Sequence, residues 1–351
     1  MLQTLSEMYP KAPIYTAFSV KDSTAWKQFK DKKIIESSLA PLLRFHKLYS
    51  PLRFLAPWVW EGFDFSDYDV VISSASWYIT NGILTKPETK HICYCHTPPR
   101  YLYGLPTALE WQRYWPVRLY AKVVNSFLRT YAFQAAQRVD QFVVNSQNVQ
   151  ERVARWYQRD SIIIYPPVKV VEIGKVSQKY QKQDYFLIVS RIVGAKGIDL
   201  AMQAAQQTGI KLKIVGEKAG LAWEENKFNQ LSASNNIEFL GRVSDRQLWQ
   251  LYAQAKAFLA LATDEDFGMT VVEAQAAGTP VIAYYGGGYK ETIIDRKTGM
   301  FFKDYSVEAL VKAIKSFNFS DYQPKVLKDN AARFSEAHFA KSISQLVAAV
   351  V

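Results

Sequence analysis

TDEDFGMTVVEAQAAG, residues 263–278, sets two carboxylates, Glu265 and Glu273, on either side of Asp266-Phe267-Gly268 and an apolar Met269-Thr270-Val271-Val272. Upstream, Ala257-Phe258-Leu259-Ala260-Leu261 is short, apolar and without helical period, as a buried strand should be. Downstream, Thr270 to Ala277 predicts a helix that stops at Gly278, with Pro280 just beyond. Glu265 then lies in the turn after the strand and Glu273 in the first turns of the helix. Gly268 lets backbone N–H groups come close to a ligand. A helix N-terminus offers free donors and partial positive charge, which suits an anion such as a diphosphate. A carboxylate beside it can accept hydrogen bonds from a diol on a ribose or hexose. Alone, such a pair is more often two solvated charges; its surroundings decide the matter.

Those surroundings alternate. Strands are expected at Tyr185–Ser190, Lys211–Val215, Ile237–Leu240, Ala257–Leu261 and Val281–Tyr284, with helical stretches between them, the pattern of a doubly wound parallel sheet. The first of these runs into Ser190-Arg191-Ile192-Val193-Gly194-Ala195-Lys196-Gly197. No GxGxxG is present, which argues against a nicotinamide or flavin cofactor. Arg191 and Lys196 could instead neutralise a diphosphate, Arg as a planar fork and Lys as a point charge. Tyr285-Gly286-Gly287-Gly288-Tyr289-Lys290-Glu291-Thr292 follows the last strand as a loop whose bare backbone can approach a ligand. Three loops thus follow strand C-termini and converge on one crevice, where open α/β sheets bind ligands.

The bounds agree. A chain of 351 residues, 49% apolar and 21% charged, is globular and long enough for two α/β domains. No run of eighteen apolar residues occurs, so neither a membrane span nor a leader is expected. Two cysteines, Cys93 and Cys95, give no disulfide framework and fit a reducing compartment. The formal charge of +11 is uneven: residues 1–170 carry 21 basic and 13 acidic side chains, the remainder 22 and 19. Anionic lipid, a phosphorylated acceptor or nucleic acid would each explain that basic excess.

In the first half, Met1 to Met8 reads as a helix stopped by Pro10, and Ile14–Phe18 as a strand. Residues 21–60 read as helices and loops over a surface. Tyr68–Ser74, His91–His96, Gln141–Ser146 and Ile162–Tyr165 read as further strands, with Pro166-Pro167 as a stiff hinge. His91, Cys93, Cys95 and His96 mimic a metal set, but strand residues two apart lie about 6.6 Å apart, too far for one zinc ion. Buried thiols are the better reading. His96 differs, because it ends its strand just before Thr97-Pro98-Pro99. From Arg100 to Arg159 nine basic residues face three acidic ones, interleaved with aromatics from Tyr101 to Phe133. That suits a lipid headgroup layer or, equally, a core-facing helix with a solvated basic face. No RNA-binding signature accompanies it.

Taken together, these residues resemble the retaining, nucleotide-sugar-dependent glycosyltransferases of family 4, which have the GT-B fold. The matching residues are Ser190-Arg191 with Lys196-Gly197, Glu265-Asp266-Phe267-Gly268 with Glu273, and the triple glycine with Glu291-Thr292. Tyr94-Cys95-His96-Thr97-Pro98 and Tyr165-Pro166-Pro167-Val168 resemble segments of the subgroup that builds bacterial surface polysaccharide, often as mannosyltransferases. The resemblance implies two Rossmann-like domains facing across a cleft, at residues 1–170 and 171–330, with a C-terminal helix over 331–351 crossing back to the first. It implies catalytic roles for His96, Arg191, Lys196 and Glu265, the two cations stabilising the leaving diphosphate without a metal. Donor contacts would come from Ser190, Arg191, Lys196, Gly216, Glu265, Phe267, Gly268, Met269, Thr270 and Glu273, with Glu273 on the ribose. The donor, GDP-mannose or a UDP-sugar, is a substrate, and no cofactor is implied. The acceptor would be lipid-linked or a glycan, met by a cytoplasmic protein peripheral on the inner face of the cytoplasmic membrane, with no nucleic acid partner. Family members begin with an apolar strand and a Gly-Gly loop, which this chain is expected to lack, leaving the first sheet short of a central strand. A bilobal sugar- or nucleotide-binding protein without turnover is the alternative. The donor base and sugar, the linkage and the oligomeric state are open at this level.

Overall fold

The computed structural model describes residues 1–45, 48–107, 114–192, 194–217 and 235–350. The chain divides into two compact units: one built on Met1–Leu105, the segment up to Tyr165 and the C-terminal residues from Phe339, the other on Pro166–His338. Both are α/β with parallel sheets.

The second unit holds one six-stranded parallel sheet. Its strands are β7 (Phe186–Val189), β8 (Leu212–Val215), β9 (Ile237–Gly241), β10 (Ala257–Ala260), β11 (Val281–Tyr284) and β12 (Gly299–Phe302), in the order β12-β11-β10-β7-β8-β9. The apolar runs of β7, β10 and β11, at the middle of the order, are buried on both faces, as a parallel sheet under helices requires. On one face Phe186, Ile188, Leu212, Ile214 and Leu259 pack with Ala201 and Met202 of α8 (Ile198–Thr208) and Leu310 of α12 (Val307–Ser316). α9 (Asp245–Gln254) opens on a reciprocal cap: Ser244 Oγ accepts from Gln247 N and the Gln247 side chain accepts from Ser244 N. α10 (Met269–Ala276) stops one residue before Gly278, whose φ of +75° ends it in the left-handed region. The strand order reverses between β7 and β10, so the loops leaving those two strands flank the switch point of the sheet.

The first unit has two sheets. β3 (Val70–Ala75), β4 (Lys90–Cys95), β5 (Gln141–Val144) and β6 (Ser161–Ile163) form one, all parallel. β1 (Ile14–Thr16) and β2 (Ile34–Glu36) form a separate parallel pair. No ladder joins the two sheets among the described residues. An aromatic cluster does so instead: Tyr15 of β1 lies 5.2 Å from Phe63, 4.8 Å from Phe65 and 6.1 Å from Tyr68, ring centre to ring centre, and its hydroxyl meets that of Tyr68 at 3.1 Å. On β4 the side chains alternate as a strand demands. Ile92 and Tyr94 face Leu5 of α1 (Leu2–Met8) and Phe339 and Ile343 of α14 (Glu336–Val350). Cys93 and Cys95 face Leu128 and Ala132 of α5 (Trp115–Gln137) and Val149 of α6 (Gln147–Tyr157).

Two strands escape the sequence reading. β2 lies in the stretch read as helices and loops, and β12 is a strand beyond those expected; β2 offers only Ile34-Ile35 between Lys33 and Glu36, and β12 only Met300-Phe301-Phe302 between Gly299 and Lys303, apolar runs too brief to stand out. Among the described residues no helix is long and apolar enough to cross a membrane.

Candidate functional site

In the second unit the loop after β7 and the loop after β10 meet through one ion pair. Lys196 Nζ lies 2.7 Å from Glu265 Oε2, with both side chains mostly buried. Lys196 ends a short 3-10 turn (Gly194–Lys196) and is delivered by Gly197, the residue capping α8. Gly197 has φ +70°, and a Cβ there would fall 2.7 Å from Leu261 Cβ. Only glycine brings this loop so near β10. The sequence treats Lys196 and Glu265 as separate ligand groups; the structure joins them. The tyrosine that follows the triple glycine adds a second contact, its hydroxyl 3.4 Å from Glu265 Oε2. Burial and the Glu265 charge push the Tyr289 phenol far above its ordinary pKa, so it stays protonated and donates.

The triple glycine is used within the protein. A Cβ on Gly287 would sit 2.3 Å from the Glu265 carbonyl oxygen, and one on Gly288 would sit 2.5 Å from Phe267 Cα. Gly288 N donates to that same Glu265 carbonyl at 2.8 Å. The bare backbone expected to approach a ligand therefore lies flat against the 263–267 turn and sets its shape. Gly268 has φ +96°, and a Cβ there would meet the Tyr289 ring at 2.9 Å.

This packing leaves the start of α10 open. Its first turn holds no acidic residue, and Gly268 offers no side-chain cap. Val271 and Val272 N donate to Gly268 O at 3.0 and 3.4 Å, while the amides of Met269 and Thr270 have no acceptor among the described residues. Two free donors and the positive end of a helix beside Lys196 suit an anion. Phe267 turns inward, buried against Phe334 with ring centres 5.4 Å apart.

One turn into α10, Glu273 Oε2 accepts from Tyr252 Oη at 2.9 Å. Burial lifts the Glu273 pKa to about 7; the Tyr252 bond opposes that rise and Asp245 adds to it. No positive group faces it among the described residues, so this carboxyl titrates near neutrality. Neither tyrosine is foreseen from the sequence. Tyr289 adjoins the triple glycine, a signal that could have been used, whereas Tyr252 lies 21 positions from Glu273 with no local pattern linking them.

The remaining expected residues are placed as follows. Gly216, at the end of β8, has φ +144° and admits the Ser190 carbonyl, which a Cβ would meet at 1.8 Å. Ser190 N donates to Val215 O at 3.0 Å, and Ser190 Oγ to Arg191 O at 3.1 Å. Arg191 is exposed and makes no ion pair among the described residues. Val193 of that loop lies outside them. His96 belongs to the first unit, at the end of β4, where Nε2 lies 3.0 Å from Ser74 Oγ and its carbonyl accepts from Asn145 Nδ2 at 3.0 Å. His91, Cys93 and Cys95 are fully buried. Burial lowers the His91 pKa to about 4, and Nε2 lies 2.8 Å from Ser73 Oγ. Burial likewise pushes the Cys93 thiol up to about 12.

Known proteins share both halves. Residues 170–334 match the model of glycosyl transferases group 1, and residues 20–171 match that of glycosyltransferase family 4. The chain is similar to a D-inositol 3-phosphate glycosyltransferase of Mycobacteroides abscessus, 26% identical over 60% of this chain and 52% of the relative. It is also similar to the lipopolysaccharide core biosynthesis mannosyltransferase LpcC of Rhizobium leguminosarum, 35% identical over 30% of each chain. The chain spans about half the length of the first of these relatives. Among solved structures, Anabaena Alr3699/HepE, crystallised with UDP and glucose, superposes with a TM-score of 0.68 at 17% identity, over 99% of this chain and 94% of that one. At that identity the likeness concerns the fold.

Proposed function

The chain belongs to glycosyltransferase family 4, with the two Rossmann-like units of the GT-B fold, and from that premise we propose that it transfers a sugar from a nucleoside-diphosphate donor with retention at the anomeric carbon. The observation that carries this reading is the grouping at the switch point: Lys196 paired to Glu265 beside the uncapped start of α10, with Glu273 one turn further on. In the reaction the bond from the anomeric carbon to the diphosphate oxygen breaks, the acceptor oxygen bonds to that carbon on the same face, and its proton passes to the leaving diphosphate oxygen. The diphosphate leaves with the electron pair, and charge grows on it. Lys196, Arg191 and the amides of Met269 and Thr270 stabilise that charge. Glu265 holds the Lys196 ammonium in place and turns its remaining capacity to the sugar hydroxyls. Glu273 accepts from the ribose.

The finer reading is a hexosyl transfer, mannosyl by likeness to the Rhizobium relative, from GDP-mannose or a UDP-sugar to a lipid-linked or glycan acceptor in surface polysaccharide synthesis. His96 takes part on the acceptor side. No metal or cofactor is required, and the acceptor is met at the inner face of the cytoplasmic membrane. Thermal-shift titration of the full chain with UDP and GDP tests the donor site, because a ligand bound to the folded state raises the melting temperature with its concentration. Stabilisation by one of them, reduced in Lys196→Ala, is expected. Melting curves left unchanged by either nucleotide, up to millimolar concentration, would overturn the assignment.

A further inference from the structure

The long helix of the first unit carries an exposed apolar strip that no packing among the described residues explains. On α5, Trp115, Leu119, Val123 and Phe127 recur every four residues and are 68%, 57%, 64% and 46% exposed. Residues four apart on a helix are neighbours, so the four form a continuous, slowly winding band. Trp58 of α4 (Ala56–Glu61), 57% exposed, extends it by stacking on Phe127 with ring centres 6.4 Å apart. The opposite face of α5 is spent on the core through Leu128, Tyr131, Ala132 and Ala135. Single exposed apolar residues are ordinary, whereas contiguous ones mark a surface that meets something.

Charge decides what that is. The 23 residues of α5 include no aspartate or glutamate. Arg118 and Lys122, four apart, are exposed along one flank of the band; Arg129, seven further on, is also exposed and donates Nη1 to Leu102 O at 3.2 Å, and none of the three pairs with a carboxylate among the described residues. A second copy of the chain docking face to face would set this cationic flank against a like one or leave it unanswered. An anionic bilayer answers both features at once, taking the apolar band at the acyl boundary and the cations among the headgroups.

We propose that the α5 band, flanked by Arg118, Lys122 and Arg129, is a docking face for an anionic lipid bilayer. It rests on the reading that the acceptor is met at a membrane, and it fixes which face of the first unit lies on that membrane. Transfer itself does not depend on it, so the two can fail separately.

Co-sedimentation with phosphatidylcholine vesicles containing phosphatidylglycerol, in the absence of donor and acceptor, tests the face directly. Binding at low salt that weakens as salt rises is expected, since exposed charges are screened over about 8 Å at physiological ionic strength. Leu119→Glu with Val123→Glu should lower partitioning roughly tenfold or more, while Arg118→Gln with Lys122→Gln should lower it less and flatten its salt dependence. Val171→Glu, on an equally exposed apolar residue of the second unit, should bind as the unaltered protein does. Retained nucleotide-induced thermal shifts would show that the variants are folded. The proposal fails if the protein ignores such vesicles at low salt, or if the double-glutamate variant binds them unchanged. A concentration-dependent dimer abolished by Leu119→Glu, without vesicle binding, would assign the face to self-association and overturn it.

Discussion

The two units solve the same packing problem in different ways. The second closes six parallel strands into one hydrogen-bonded sheet, so each inner strand is tied to two neighbours by its backbone. The first breaks its strands into a pair and a set of four, and Tyr15, Phe63, Phe65 and Tyr68 bridge the break with side chains. Ladder bonds hold whatever side chains are present, whereas a side-chain bridge is only as strong as its rings. The first unit should therefore be the softer one, and its weak line should run through the aromatic cluster.

The largest effect tests that line. Phe65 is 4% exposed within the cluster, and Phe65→Ala should cost about 3–5 kcal/mol, the range for deleting a buried aromatic ring. Calorimetry should show an early transition moving down while a later one, shifted by nucleotide, stays in place. If both move together, the units unfold as one and the contrast is void. The corresponding weak point of the second unit is a glycine. Gly287→Ala puts a Cβ 2.3 Å from the Glu265 carbonyl at φ +52°, and should cost roughly 2–4 kcal/mol through overpacking and strain. Here the nucleotide-sensitive transition is the one expected to fall.

Acid should separate the units in opposite directions. The His91 pKa is lowered to about 4 by burial. Its contribution is present above the unfolded value and is lost as pH falls from about 6.5 toward 4. The Glu273 pKa is raised to about 7. Its contribution is complete below the unfolded value near 4.5 and is lost as pH rises toward 7. Going from pH 7.5 to 5, the first unit should lose, and the second gain, about 2 kcal/mol from these groups. Melting curves at the two pH values check this, with His91→Gln and Glu273→Gln flattening the respective responses. The smallest effect distinguishes stability from binding at one residue. Glu273→Gln keeps a partner for Tyr252 and removes a charge that burial disfavours. It should therefore raise the second unit's melting temperature at pH 8 while weakening nucleotide binding by roughly 1–2 kcal/mol. Weaker binding together with lower stability would mean that Glu273 is structural.

The same contrast explains what could be read from sequence. Five strands of the second unit are apolar runs bounded by turn residues, and the observed limits fall within about one residue of the expected ones, as at Val281–Tyr284. β2, Ile34–Glu36, has no such signature because its pairing with β1 holds it, not its own pattern. The placement of Lys196, Glu265 and the glycines in loops after strands was legible from the sequence. Their mutual geometry was not. That Gly287 carries the Glu265 carbonyl, and that Tyr289 and Tyr252 support the two glutamates, depends on contacts between residues 21 or more positions apart. Trp115 and Phe127 read as aromatics among cations, but only the fold shows that they stay outside while Tyr131 goes in.

Everything proposed for the second unit depends on its switch point being a nucleoside-diphosphate site. Isothermal titration of UDP and GDP into the full chain, and into Lys196→Ala, Glu273→Gln and an Arg118→Gln control, measures it most directly. One-to-one binding of at least one nucleotide is expected, weakened by both changes in the second unit and untouched by the control on α5. Equal binding by all four proteins, or none by any of them, would contradict it.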